Sequence, residues 1–266
     1  MAEAKRIRDV FGKGRAALMP YFTVGYPDYE TSLNVIEACV EAGADLMELG
    51  MSFSDPLADG PTIQHSTQVA LENGITVKQC LDAVADLRSR GIEIPLLLMG
   101  YINPILAYGL EKFVRDAARA GASGFIVPDL PPDEAGEMRS LCKHYDLDMV
   151  FLLAPNSSDE RIQFVTELSS GFVYLVSVLG ITGERDALPV ELAKFLSRVR
   201  SQTEKPLAVG FGISTPDQAA VVGEIADGVI VGSALIKAVG QADQPVDVAR
   251  KFVAELKSAL TRETSE

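Results

Sequence analysis

An acidic residue stands inside a short apolar run, and a second acidic residue follows it in a turn-rich segment. Glu48 lies in the run of residues 46–49, which Gly50 ends. Residues 54–61 are rich in serine, aspartate, glycine and proline, and they include Asp59. A carboxylate within an apolar strand is costly to bury without a partner or a proton. An acid near a strand end, with a second acid in the loop that follows, therefore predicts general acid–base catalysis.

Glycine-rich turns follow two apolar runs near the C-terminal end of the chain. Gly212 precedes Ser214, where a helix is predicted to begin, and Gly232 directly precedes Ser233. Backbone N–H groups at a helix start, together with a serine hydroxyl, suit a phosphate group. Each glycine taken alone could simply end a strand in a tight turn. Two such turns in the last two units favour a phosphate site.

The candidate residues also have structural interpretations. Glu48 could pair with a buried arginine or lysine, Asp59 could be the N-cap of the following helix, and Tyr174 could be a core residue. His65 and His144 have no partners at metal-ligand spacing, so no metal site is predicted. No lysine stands at the C-terminal end of an apolar run, which argues against a Schiff-base aldolase.

Short apolar runs alternate with longer amphipathic stretches along the whole chain. The runs predicted to be strands are residues 16–24, 44–49, 94–99, 124–127, 149–153, 172–178, 207–211 and 228–231. The predicted helices are residues 28–41, 76–90, 110–120, 132–144, 158–168, 189–200, 215–223, 234–239 and 246–260. Residues 179–189, with two glycines and three consecutive charged residues, are predicted to form a mobile lid.

Eight strand-then-helix units without a linker predict an α/β protein with one domain, residues 1–266, folded as a single (β/α)8 TIM barrel. The structural alternative is an open doubly wound sheet. That fold usually has fewer strands and a glycine-rich dinucleotide turn after its first strand. The sequence Tyr26-Pro27-Asp28 does not supply this turn.

The composition limits the kinds of partner. The 266 residues are 47% hydrophobic and carry a formal net charge of −13, which argues against a nucleic-acid or membrane surface. Backbone amides can still bind phosphate locally. Cys39, Cys80 and Cys142 form no CxxC pair and are typical of reduced thiols. Residues 1–14 lack an apolar signal core and no apolar run approaches about 18 residues, so we expect a cytoplasmic protein without a membrane span.

The combined motifs resemble those of the tryptophan synthase α-subunit family. The most specific block is residues 53–64, Phe-Ser-Asp-Pro-Leu-Ala-Asp-Gly-Pro-Thr-Ile-Gln, which follows Glu48-Leu49-Gly50. The resemblance covers the whole chain, and the further matching segments are residues 20–27, 101–104, 128–131, 174–177, 180–183, 210–213 and 232–233. The chain departs from the usual pattern at Ser52, where a proline is common, at Met99, where leucine is common, and within residues 177–181.

The resemblance implies a carbon–carbon lyase of tryptophan biosynthesis. Members of the family are (β/α)8 barrels that cleave indole-3-glycerol phosphate to indole and glyceraldehyde 3-phosphate. They need no cofactor themselves, and pyridoxal phosphate is expected only in the partner β subunit. The resemblance also implies an α2β2 heterotetramer with allosteric coupling between its subunits, and neither a nucleic-acid nor a membrane partner.

The resemblance assigns roles to individual residues of this chain. The implied catalytic residues are Glu48 for proton transfer, Asp59 for stabilising a cationic indolenine, and Tyr174 beside Glu48. The implied substrate-binding residues are Tyr21, Tyr101, Thr182 and Phe211, and the implied phosphate-binding residues are Gly183, Gly212, Gly232 and Ser233. Two alternatives remain open: a free-standing lyase without a β subunit, and a phosphate-binding barrel without catalysis.

Overall fold

One parallel sheet organises the computed structural model, which describes residues 6–176, 187–210 and 212–261. The strands are β1 (Ala17–Thr23), β2 (Met47–Gly50), β3 (Leu96–Met99), β4 (Gly124–Ile126), β5 (Asp148–Val150), β6 (Leu152–Leu153), β7 (Val173–Val176), β8 (Leu207–Gly210) and β9 (Gly228–Val231). The helices are α1 (Tyr29–Glu41), α2 (Pro61–Glu72), α3 (Val77–Ser89), α4 (Ile102–Tyr108), α5 (Leu110–Ala120), α6 (Gly136–His144), α7 (Asp159–Leu168), α8 (Ala187–Arg200), α9 (Pro216–Gly223), α10 (Ser233–Gly240) and α11 (Pro245–Thr261). A 3-10 helix at Ile7–Val10 precedes β1.

The sheet closes into a barrel. Its strand order is β5-β4-β3-β2-β1-β9-β8-β7-β6, and neighbouring strands run parallel throughout. The two ends of this order, β5 and β6, are separated along the chain only by Phe151. The predicted TIM barrel is therefore confirmed, and the open doubly wound sheet is wrong.

The predicted strand at 149–153 is two strands in the structure. β5 pairs with β4, whereas β6 pairs with β7, so the chain changes partner at Phe151. The Phe151 carbonyl still accepts a hydrogen bond from the Tyr174 N–H at 3.1 Å. The two short strands together occupy the fifth strand position of the barrel. The barrel closes at the break between them.

Two helices of the structure, α2 and α4, are missing from the set of predicted helices. α2 begins with Pro61 in its first turn, a position where the missing N–H of proline costs nothing. α4 begins at Ile102, whose backbone N–H donates to the Asp129 carboxylate at 2.9 Å. Since Asp129 comes from a distant loop, the sequence around α4 does not contain its own cap. The predicted helix at 132–144 begins later, at Gly136.

A charged network closes the amino end of the barrel. The Asp45 carboxylate accepts from both terminal nitrogens of Arg15 at 2.8 Å, from Lys257 Nζ at 2.7 Å and from the Leu18 N–H at 2.9 Å. Burial alone would raise the pKa of Asp45, but these donors outweigh it and lower the pKa to about 2. The network ties α11 to the first two strands.

Within the described ranges, no helix combines the length and the apolar character needed to cross a membrane.

Candidate active site

A cavity of about 440 Å³ opens at the carboxyl ends of the strands. Its wall includes most of the described residues that were predicted to form the site, namely Tyr21, Glu48, Asp59, Tyr174, Gly212, Gly232 and Ser233, and it also includes Met99. Other residues of the wall are Thr62, Ile63, Ile213, Ser214, Ile230, Ala234, Lys237, Ala238, Gln241 and Phe252. The two acids lie in the same cavity as the two glycine turns, so the predicted acid–base and phosphate sites belong to one pocket.

Glu48 is a fully buried acid in the middle of β2. Neither of its carboxylate oxygens has a hydrogen-bond partner among the described residues, and no described arginine or lysine pairs with it. Burial raises the pKa of this carboxyl well above its ordinary value. The structural interpretation of Glu48 as half of a buried ion pair is therefore not supported in the described part of the chain.

Two tyrosine rings flank the acids, and each lies against a glycine of a neighbouring strand. Tyr21 in β1 lies opposite Glu48 in the register with β2, and its ring occupies the space where Gly50 would otherwise carry a side chain. Tyr174 in β7 lies over Gly210 of β8 in the same way. Any larger residue at either glycine would displace the ring that covers it.

Burial and the two acids together raise the pKa of both tyrosines. Burial raises the pKa of Tyr21, and the charges of Asp59 and Glu48 raise it further. Burial likewise raises the pKa of Tyr174, with further contributions from Glu48, Asp59 and Tyr21. Both phenols therefore stay protonated beside the carboxyl groups, where they can donate hydrogen bonds.

Asp59 lies in the loop between β2 and α2, and its carboxylate accepts a hydrogen bond from Tyr101. The Tyr101 hydroxyl donates to Asp59 Oδ2 at 3.0 Å and accepts from the Ala58 N–H at 3.0 Å. Burial raises the pKa of Asp59, while the hydrogen bond from Tyr101 opposes this shift. The N-cap of α2 is Gly60, without a side-chain cap. Asp59 therefore does not serve as the N-cap, and its carboxylate instead faces the cavity.

The side of the cavity that was predicted to bind phosphate is built from a turn and a helix start. Gly212 has a φ of +86°, a left-handed conformation that favours glycine. Gly232 is the N-cap of α10, and Ser233 is the first helical residue. The first N–H groups of a helix have no partner within it. This end of the cavity therefore offers unpaired backbone donors and a serine hydroxyl at the positive end of a helix dipole.

Three of the predicted site residues, Thr182, Gly183 and Phe211, lie outside the described residues, as does most of the predicted lid at residues 179–189. Tyr101, predicted to bind substrate, lies behind Asp59 and is not part of the cavity wall formed by the described residues. Among those residues, no group of three or more His, Cys, Asp or Glu side chains could hold a metal ion.

Sequence reasoning missed two features of this site. The hydrogen bond between Tyr101 and Asp59 joins residues 42 positions apart, and no local sequence pattern predicts it. Lys237 on the cavity wall was not predicted to be a site residue either. It stands four residues after Ser233, and that helical spacing is a signal that could have identified it.

The comparisons with known proteins agree on one family. The family model described as "Tryptophan synthase alpha chain" matches residues 7–264. The chain is 48% identical to the tryptophan synthase alpha chain of Chloroflexus aggregans over 263 residues, covering 97% of this chain and 98% of that protein. It is 49% identical to that of Dehalococcoides mccartyi over 255 residues, covering 96% and 99% of the two chains.

A crystal structure of the tryptophan synthase alpha chain from Legionella pneumophila superposes with a TM-score of 0.90 at 34% identity, over 99% of this chain and 100% of that one. The agreement therefore extends from sequence to the entire barrel. The chain belongs to the tryptophan synthase alpha chain family, the lyases of tryptophan biosynthesis whose reaction is the cleavage of indole-3-glycerol phosphate.

Proposed function

We propose that Glu48 transfers the protons and Asp59 stabilises the cationic intermediate when this chain cleaves indole-3-glycerol phosphate. The observation that carries the proposal is a fully buried carboxyl group without a partner among the described residues, in a cavity shared with a second acid. Breaking the bond between indole C3 and the side-chain carbon requires a proton on C3 and removal of the proton from the adjacent hydroxyl. Indole and glyceraldehyde 3-phosphate are the products.

The raised pKa of Glu48 suits both proton transfers. A carboxyl group that keeps its proton to a higher pH remains available to protonate C3 over a wider pH range. Once it has donated, Glu48 is a carboxylate in an apolar setting and is a strong acceptor for the hydroxyl proton. The phenol of Tyr174 lies beside it and can hydrogen-bond the transient carboxylate.

Asp59 has the complementary task. Protonation of C3 leaves a positive charge on the indole ring, and an ionised carboxylate near the ring N–H stabilises that charge. The hydrogen bond from Tyr101 favours the ionised form of Asp59. We therefore propose that Tyr101 acts through Asp59, and that Tyr21 and Met99, which also line the cavity, flank the ring.

The substrate phosphate is proposed to bind at the far end of the cavity. Gly212, Gly232 and Ser233 supply backbone N–H groups and a hydroxyl there. Thr182, Gly183 and Phe211 remain proposed contacts by family resemblance. The phosphate and the ring are then bound at opposite ends of the cavity, which aligns the scissile bond with Glu48.

The chemistry needs no cofactor in this proposal, since carboxyl and phenol side chains carry each proton transfer. Alpha chains of this family do not themselves bind pyridoxal phosphate. The family name implies a β partner, and we propose that this partner carries pyridoxal phosphate in an α2β2 heterotetramer. We also propose that residues 1–266 form one domain, because the described strands all belong to one sheet.

An exposed apolar surface next to Asp59 supports docking of the β subunit there. Leu57 is 93% exposed in the Asp59 loop, and Leu106 is 54% exposed on α4, the helix that follows Tyr101. Contiguous exposed apolar patches mark protein–protein interaction sites, and we propose that these two leucines belong to one such patch. A β subunit bound over both would contact the two segments that hold Asp59 and Tyr101, which couples partner binding to catalysis.

Indole release from indole-3-glycerol phosphate, measured on the isolated chain with and without a β subunit, tests the proposal. We expect measurable turnover alone and at least about a tenfold increase with the β subunit, which requires only about 1.4 kcal/mol of differential stabilisation. Turnover that a bound β subunit leaves unchanged would identify a free-standing lyase. No turnover in either state would identify a barrel that binds phosphate without catalysis.

A further inference from the structure

Lys237 shares one helix face with the serine of the proposed phosphate site. It stands four residues after Ser233 on α10, so the two side chains lie on the same side of the helix. Helical side chains lean towards the N-terminus of their helix, which directs Lys237 back over Ser233. Both residues line the cavity. A long cationic side chain thus lies within reach of the group bound at the helix start.

A bound phosphate would add negative charge to a cavity whose described wall is otherwise acidic, so a cationic side chain there would stabilise it. A phosphate ester carries a charge of about −1.5 to −2 at neutral pH, whereas the acidic residues of the described cavity wall are Asp59 and Glu48, and burial favours the neutral form of Glu48. The whole chain has a formal net charge of −13. Lys237 provides the single cationic side chain of that wall as far as the structure describes it. Backbone amides and the Ser233 hydroxyl supply donors but no net charge.

Lys237 also has no ion-pair partner among the described residues. Lys194 and Lys251 pair with Glu191 and Glu255, but Lys237 forms no ion pair with any residue in the described ranges. A structural lysine normally neutralises an acid or caps a helix, as Lys205 does by donating to three backbone carbonyls. The Lys237 ammonium is therefore available to a ligand in the cavity.

We infer that Lys237 is the charge partner of the substrate phosphate and gives this site its preference for a phosphate dianion. The inference rests on the proposed phosphate site and adds to it a residue that determines specificity. The ammonium favours two negative charges over one, so affinity rises as the phosphate monoester loses its second proton near about pH 6.

Calorimetric titration with sn-glycerol 3-phosphate, on the chain and its Lys237→Gln variant, tests this inference. We expect about five- to tenfold weaker binding for the variant at pH 7.5 and low salt, as for a charge pair at the edge of a cavity. The gain in affinity between pH 5 and pH 7.5 should shrink in the variant, a change that a purely structural defect would not produce. Lys237→Arg should restore most of the affinity.

Lys251→Gln is the matched control, because this lysine is on α11 with its side chain 79% exposed. Its binding should equal that of the parent chain. Binding by the Lys237→Gln variant within about twofold of the parent at both pH values, with equal salt dependence, would overturn the inference.

Ser233→Asp separates this inference from the proposed site. If Ser233→Asp abolishes binding and Lys237→Gln does not weaken it, the site stands and the role of Lys237 is wrong. If neither change affects binding, phosphate binds elsewhere and both proposals fail.

Discussion

Two acids, the half-buried Asp45 and the fully buried Glu48, stand three residues apart on the same segment of the barrel, and their surroundings are opposite. Asp45, just before β2, accepts hydrogen bonds from Arg15, Lys257 and the Leu18 N–H, and its pKa falls to about 2. Glu48, within β2, has no hydrogen-bond partner among the described residues, and burial raises its pKa. The same kind of group is stabilised as an anion in one place and as a neutral acid in the other.

The contrast follows the polarity of the barrel. Asp45 lies at the amino ends of the strands, where its partners join β1 to α11 and where interactions serve stability. Glu48 lines the cavity at the carboxyl ends, where a buried acid without a partner among the described residues costs stability and, in the proposed mechanism, supplies reactivity. Amide substitutions at these two positions should therefore have opposite effects, which makes the comparison testable.

Glu48→Gln should produce the largest loss of activity. The amide preserves shape but cannot transfer a proton, so we expect turnover of indole-3-glycerol phosphate to fall by about 10²–10⁴-fold. Near pH 4, where the folded parent and most of its unfolded chains carry the Glu48 proton, the free energy of unfolding should change by less than about 1 kcal/mol, because the carboxyl group that is replaced has no described partner to lose. Indole release and denaturant unfolding measure the two effects. Turnover within about twofold of the parent would remove Glu48 from the proposed mechanism.

Asp59→Asn should have the next largest effect. The change keeps the loop and the hydrogen bond from Tyr101 but removes the charge that is proposed to stabilise the cationic ring, so we expect a loss of about 10²-fold in turnover. The matched control is Asp55→Asn in the same loop, whose carboxylate is exposed and accepts only from Ser54 among the described residues. On the isolated chain the control should retain its activity. Equal losses in the two variants would point to loop structure rather than charge.

Tyr101→Phe should have a smaller effect that depends on pH. Without its hydrogen bond the pKa of Asp59 rises further, and since Asp59 acts as an anion, turnover should fall mainly on the acid side of the pH profile. We expect the acid limb of kcat/KM to move to higher pH, with about a fivefold loss near its midpoint. Tyr108→Phe, which removes a similar bond to Asp116 away from the cavity, should leave the profile unchanged.

Sequence patterns predicted the barrel and several residues of the described cavity wall because these features are local. The apolar run around Glu48, the turn that carries Asp59, and the Gly232-Ser233 helix start are each contained in a few residues. The remaining features depend on residues that are distant in sequence. The start of α4 needs Asp129, and the network at Asp45 needs Lys257, 212 residues away. Such pairings follow from barrel closure, which no short segment encodes.

Asp45→Asn should have the smallest effect on turnover and a clear effect on stability. Because the pKa of Asp45 is lowered from 3.8 to about 2 on folding, its stabilisation is present above pH 4 and disappears as pH falls towards 2. The shift corresponds to about 2 kcal/mol, and the variant should lose at least this much at pH 6. The two unfolding curves should converge as the pH approaches 2.

Glu48→Gln provides the opposite sign in the same measurement. The raised pKa of Glu48 means that the folded parent chain binds a proton that the unfolded chain releases, so its stability falls as pH rises above 4.5. The glutamine variant should lack this fall and gain stability relative to the parent with increasing pH. Unfolding free energies of the two variants measured from pH 3 to pH 8 check both signs. If both variants showed the same pH dependence as the parent, the pKa values of Asp45 and Glu48 would not be shifted in opposite directions, and the proposed difference between the two ends of the barrel would be wrong.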